Sequence, residues 1–245
     1  NGKLKSKKFY KDGKPDQMGL WEDYWENGQL KYKKFYKDGK PEGLWEYYYD
    51  DGSLKETRTF KDFSLESVWT YYYGNGQIQS KEFYKDGIQN GLRERYYENG
   101  QLSFSGITKE EWWHPERGPF VLGDGLQEYY YENGQLQKKE NFIDGVKDGL
   151  WEFFNEDGSL VKTETYKNGE KYGLWDYFNE DGQLIYKGTI KDKKREGLWN
   201  FYYDNGQIRS KGNYKDGKPE GLWEYYYDDG SLKETRTYRN GKELE

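Results

Sequence analysis

Apolar and polar positions alternate along this chain in a two-part pattern that recurs. Residues 44–49 read Leu-Trp-Glu-Tyr-Tyr-Tyr, and residues 54–60 read Leu-Lys-Glu-Thr-Arg-Thr-Phe. Asp50-Asp51-Gly52 lies between them, and Lys37-Asp38-Gly39 precedes the pair. Short runs rich in aromatic and β-branched residues, bounded by Asn-Gly or Asp-Gly, predict strands joined by tight turns, because Gly accepts positive φ. No segment carries a helical period.

The pattern is an internal repeat. The 23 residues from Lys37 recur unchanged from Lys215 to Thr237. The Gly that opens Gly-Leu-Trp falls at Gly19, Gly43, Gly91, Gly125, Gly149, Gly173, Gly197 and Gly221, with Ser67 standing in at one step. Every step is 24 residues except Gly91 to Gly125, which is 34. This predicts an all-β single array over 1–245: a partial repeat at 1–18, repeats over 19–102, an irregular insertion at 103–124 and repeats over 125–245. About nine repeats of 24 residues would form one antiparallel meander sheet, a β-hairpin repeat solenoid that twists into an elongated ribbon.

Loop length sets which residues share a face. A three-residue loop with Gly in the left-handed region places Tyr48 opposite Leu54, and a three-residue loop at the second turn preserves that parity. Leu44, Tyr48, Leu54 and Phe60, which are matched by apolar residues in nearly every repeat, are then expected on one face. Trp45, Tyr47 and Tyr49 are expected on the other.

Composition narrows the function. Of 245 residues only 33% are hydrophobic and 20% are aromatic, with 27 Tyr, 12 Phe, 10 Trp and no Ala. Burial must therefore come from rings. The net charge of -6 comes from 39 basic and 45 acidic residues, interspersed and without the basic patch that nucleic acid requires. One His and no Cys leave neither a thiol dyad nor a multi-His metal site, and no cofactor is expected. No apolar run approaches the ~20 residues of a membrane helix. The chain starts at Asn1 inside a repeat, which reads as a cut within a longer protein, and Leu244-Glu245 reads as a cloning remnant. The compartment stays open between cytoplasm and cell surface or secretion.

Gly-Leu-Trp-Glu-x-Tyr-Tyr-x-Asn-Gly followed by Tyr-Lys-Asp-Gly resembles the bacterial variant of the MORN repeat, over residues 1–102 and 125–243. The standard MORN pattern has more Gly in its strands, so no binding residue is carried over. The resemblance implies hairpin repeats in an elongated sheet used for interaction with proteins or lipids. Some relatives are antitoxin components of toxin–antitoxin systems, and others are surface or secreted proteins of host-associated bacteria.

Three features invite a functional reading. The insertion, ten residues longer than its place in the array requires, holds Trp112, Trp113 and His114 and reads as a binding loop, or as cover for a weak spot beside Arg93 and Gln127, which break the Trp column. The Trp column itself, including Trp45, Trp69 and Trp151, reads as a stacking platform for sugars, peptides or lipid, or as rings stacked on one another to stabilise the sheet. A column of acids (Glu22, Glu46, Glu94, Glu128, Glu152, Asp176, Glu224) reads as cross-strand partners for Lys and Arg rather than as catalysts. The chain is accordingly expected to be a non-enzymatic interaction module with a protein partner. The alternatives are a carbohydrate or membrane-surface binder, an enzyme centred on His114, and self-association through open sheet edges.

Overall fold

The computed structural model describes residues 5–8, 10–11, 14–15, 19–61, 64–85, 88–114, 118–179 and 181–245, with side chains described for all of these except 10–11, 14–15, 61, 64–66, 110–114 and 118–121. All regular structure among them is strand and turn. The chain divides into two compact units, Asn1–Gly123 and Asp124–Glu245. In each, strands follow one another in sequence order as an open antiparallel meander. Among the described residues 23 strands pair in this way, and Tyr10–Lys11 with Lys14–Pro15 forms a separate small hairpin.

The two turns of each repeat have different chemistry. At the first, the Tyr49 amide donates to the Ser53 carbonyl at 2.9 Å and the Gly52 amide to the Tyr49 carbonyl at 3.1 Å, with Gly52 at φ 88°. This is the expected three-residue loop with Gly in the left-handed region. Asp51 Oδ1 accepts from the Ser53 amide at 2.8 Å and stiffens it. The second turn differs from expectation. Lys37 pairs with Lys40, and both residues between them have positive φ, Asp38 at 49° and Gly39 at 74°. That is a two-residue type I′ turn, whose twist matches the flanking strands. It recurs at Asp144-Gly145, Asn168-Gly169 and Asp216-Gly217.

Tyr48 does lie opposite Leu54, but the next pair is Tyr47 with Glu56. Lys55 is an extra residue, a β-bulge, and it reverses the alternation along Leu54–Lys61. Arg58 therefore pairs with Trp45 and Phe60 with Gly43. Phe60 thus belongs to the Trp45 and Tyr47 face, not to that of Leu44, Tyr48 and Leu54 as expected. The same shift recurs after Asp23, Arg95, Tyr129, Phe153, Tyr177, Phe201 and Tyr225.

Burial follows this split. On the Trp face Trp45 is only 8% exposed, and Trp151, Trp199 and Trp223 are buried as deeply or more so. On the Leu face Leu44 is 51% exposed, and Leu92, Leu126, Leu150, Leu174, Leu198 and Leu222 are exposed as well. The insertion is not a loop over its described residues. They extend two strands, Leu102–His114 and Gly118–Tyr130, to 13 residues each. Phe104, Gly106 and Thr108 are buried, Ser105 is half-buried and Ile107 is exposed, which is the period of a strand.

Gly212 lies opposite both Trp199 and Trp223. A Cβ there would come within 2.3 Å of the Trp223 ring, and one at Gly188 within 2.2 Å of the Trp199 ring. Neither Gly has positive φ, so closeness of approach rather than conformation requires Gly there. Gly212→Ala is expected to displace the indole and destabilise the second unit by about 1–3 kcal/mol. Urea unfolding followed by Trp fluorescence measures this, with Lys187→Ala as the control.

Candidate functional site

The Trp face is an interleaved aromatic stack. In the first unit Trp21, Tyr36, Trp45 and Phe60 follow at ring separations of 4.8, 4.9 and 4.7 Å. In the second, Phe142, Trp151 and Tyr166 follow at 5.2 and 5.1 Å, and Tyr214 lies 6.0 Å from Trp199 and 5.1 Å from Trp223. Each of four indole N–H groups donates to the carbonyl ten residues earlier: Trp45 to Phe35 at 2.7 Å, Trp151 to Asn141 at 3.0 Å, Trp199 to Thr189 at 3.2 Å and Trp223 to Asn213 at 3.1 Å. Trp69 instead donates to Ser67 Oγ at 2.8 Å, stacks on Tyr84 at 4.0 Å and carries the Arg58 guanidinium 3.8 Å above its ring. These rings face one another, so Trp45 and Trp151 are core residues and leave little surface for a ligand.

Acids are buried among the rings. Glu82 pairs with Arg93 at 2.6 Å, Glu140 with Lys138 at 2.7 Å and Glu164 with Lys162 at 2.8 Å, while Glu56 pairs with Arg58. Arg93 thus stands in a Trp position and exchanges a ring for a guanidinium that holds a buried carboxylate. The second oxygen of Glu82 accepts from the Tyr84 hydroxyl at 3.0 Å. Beside this step the Trp face opens into a shallow groove of about 490 Å³, lined by Tyr71, Tyr73, Ser80, Glu82, Arg93 and Arg95 among others. Gln127, the other break in the Trp column, is 2% exposed and donates from Nε2 to the Asp124 carbonyl at 3.2 Å. Trp112, Trp113 and His114 fall on the strand Leu102–His114, but their side chains lie outside the described residues.

The acidic column on the Leu face pairs across strands as its spacing predicts: Glu46 with Lys33 at 3.5 Å, Glu94 with Lys81 at 3.6 Å and Glu224 with Lys211 at 2.8 Å. These pairs are partly solvated and contribute little each. The acids of the Trp face were not singled out in the sequence. Their signal is the column opposite Trp, which reads Lys34, Arg58, Glu82, Gly106, Glu140, Glu164, Gly188, Gly212 and Arg236. It holds only Gly and long-stemmed charged residues, the two kinds of residue that let an indole lie close.

The architecture defines an all-β protein of tandem hairpin repeats. The model of the MORN repeat variant matches eight segments, 19–38, 41–62, 65–86, 89–110, 123–144, 147–168, 195–216 and 219–240, well over half of the sequence. The chain belongs to that family. The hairpin of Gly173–Phe178 and Leu184–Lys191, between the matches at 147–168 and 195–216, keeps the same pairing without being matched itself. No curated protein matches the chain. Among solved structures, TcdB2-TccC3-TEV is similar at 13% identity over 94% of this chain and 16% of that one, with a TM-score of 0.21. TcdB2-TccC3 without its hypervariable C-terminal region is similar at 10% identity over the same shares, also at 0.21. A porin-like protein from Bacteroides uniformis ATCC 8492 is similar at 10% identity over 98% of this chain and 91% of that one, at 0.19. The chain thus spans about one sixth of the length of the first two.

Two outcomes follow from the Trp face. Arg93→Ala leaves the Glu82 carboxylate buried without its cation, which is expected to destabilise the first unit by about 3 kcal/mol. Replacing both Arg93 and Glu82 by Met should recover most of that loss, and a double-mutant cycle in urea measures it. The second outcome concerns alkali. Burial, then nearby Glu56 and Glu82, pushes the Tyr71 hydroxyl up to about 12 from its usual 10.0. Burial also drives Tyr84 and Tyr166 upward, each reinforced by the carboxylate that its hydroxyl contacts. An unfolded tyrosine releases its proton near 10 while these keep theirs, so the unfolded state binds fewer protons above that pH. Their contribution to stability is therefore complete below pH 10 and is lost as pH rises through about 12 and beyond. Unfolding midpoints should fall between pH 9 and about pH 11, and tyrosinate absorbance should reveal a late-titrating class.

Proposed function

We propose that this chain is a non-enzymatic interaction module whose binding surface is the Leu face, with a protein as its partner. The observation that carries this reading is the exposed aliphatic column. Seven of its residues, from Leu44 to Leu222, stand at the same repeat position and are between 39% and 66% exposed. Single exposed leucines need no explanation, but a column repeated on one face concentrates apolar surface where a partner can cover it. A repeat array suits this role, because successive repeats within a unit place the same position along one face. Burial of Trp45, Trp151, Trp199 and Trp223 weighs against a carbohydrate or membrane reading that requires exposed rings.

The test is affinity capture from the source organism's lysate with three baits: the native chain, Leu44→Glu with Leu92→Glu, and Trp112→Ala with Trp113→Ala. A partner retained by the native chain and the Trp pair variant, but lost by the Leu variant, is the expected result. Loss with the Trp pair alone would move the surface to the insertion, and no partner on any bait would overturn the reading.

A further inference from the structure

We infer that the Leu face of the first unit is a docking strip for one amphipathic α-helix of a protein partner. This rests on the reading of the chain as an interaction module and adds what shape of partner the face fits.

The two units differ on this face. In the second unit each leucine of the column has a polar residue opposite: Asn141 across from Leu126, Thr165 from Leu150, Thr189 from Leu174, Asn213 from Leu198 and Thr237 from Leu222. In the first unit the residues opposite are mostly apolar: Phe35 across from Leu20, Phe83 from Val68 and Ile107 from Leu92, with Thr59 between Leu44 and Val68. Phe35, Leu44, Phe83, Leu92 and Ile107 are exposed. The apolar row therefore crosses eight successive strands, from Gly19–Tyr24 to Leu102–His114, a span of ~34 Å at about 4.8 Å per strand.

The row is one side chain wide, and what borders it decides the occupant. The neighbouring row is polar and charged throughout: Glu22, Lys33, Glu46, Thr57, Thr70, Lys81, Glu94 and Ser105, each opposite the next. A second sheet, including that of another copy, would have to cover this row along with the apolar one and desolvate its ion pairs. A helix would not. Its apolar stripe is about as narrow as the row, and the polar flank beside that stripe meets charges of both signs. Its turns recur every 5.4 Å against a strand spacing of ~4.8 Å. Placed in register at mid-row, the two drift apart by about 2 Å at either end, less than half a strand spacing. A helix of about 22 residues covers the whole row.

The probe is a fluorescein-labelled peptide of about 22 residues with Leu on one helical face and Glu and Lys on the other, set against a scrambled peptide of the same composition. Anisotropy with the full chain should show saturable binding of the patterned peptide, with a gain of helical circular dichroism. Leu44→Glu with Phe83→Glu, both at exposed sites, should weaken it by roughly tenfold or more, while Leu174→Glu with Leu198→Glu leaves it within about twofold. The inference is overturned if the scrambled peptide binds equally, or if the Leu44/Phe83 variant binds as the native chain does. It is also overturned if light scattering shows the chain dimerising through these residues, or if phosphatidylcholine–phosphatidylglycerol vesicles bind the native chain and not that variant. A lysate partner lost on Leu44→Glu with Phe83→Glu, together with no binding of the patterned peptide, would end the helix inference and leave the interaction module standing.

Discussion

In a sheet without a second layer, an indole can leave water only by lying across its own neighbours. That constraint organises the Trp face. Trp199 and Trp223 lie against the backbone at Gly188 and Gly212, where a Cβ would have no room. Elsewhere the residue opposite a Trp is a Lys, Arg or Glu, whose aliphatic stem accepts the ring; the heads of Arg58, Glu82, Glu164 and Arg236 find ion partners, and that of Lys34 lies over the Trp45 and Tyr47 rings. The bulge at Lys55 and its equivalents is part of the same solution. It moves Phe60, and with it Tyr36, Tyr166 and Tyr214, onto the Trp face, so that rings interleave from strand to strand.

Much of the architecture was legible in the residues. The 24-residue step, the Asn-Gly and Asp-Gly turns and the pairing of Tyr48 with Leu54 all follow from positions that tolerate few alternatives. The parity of the second half of each hairpin was not legible. A bulge adds one residue without altering composition, and Lys55 looks like any polar strand residue, so a period-two reading carries through it unbroken. The second turn is ambiguous in the sequence for a related reason. Asp-Gly serves both a two-residue type I′ turn and a three-residue loop, and only the pairing of Lys37 with Lys40 distinguishes them. At the insertion, length suggested a loop, whereas the alternation of Phe104, Gly106 and Thr108 was the better guide.

Parity matters for function because it decides which column is core and which is surface. A near-invariant aliphatic column suggests packing, and a Trp column suggests a platform for ligands. Here Trp45, Trp151, Trp199 and Trp223 are buried and the aliphatic column is exposed. An indole removes far more area from water than a leucine, so a face that must cover itself favours rings. Leu44 and its equivalents, on the other face, are left exposed.

The two faces also use charge differently. On the Leu face Glu46–Lys33 and Glu94–Lys81 are partly solvated, so losing one leaves its partner in contact with water and costs little. On the Trp face Glu82 and Arg93 have side chains only 9% and 21% exposed, and neither can be removed without stranding the other. This explains how the array tolerates a missing Trp. Arg93 replaces ring contact by an ion pair with the strand alongside, and because each repeat packs only on its neighbours, the exchange is compensated locally. Where Gln127 makes the second such break, the amide is almost wholly buried and is held by the Asp124 carbonyl, which makes it structural rather than a contact for ligands.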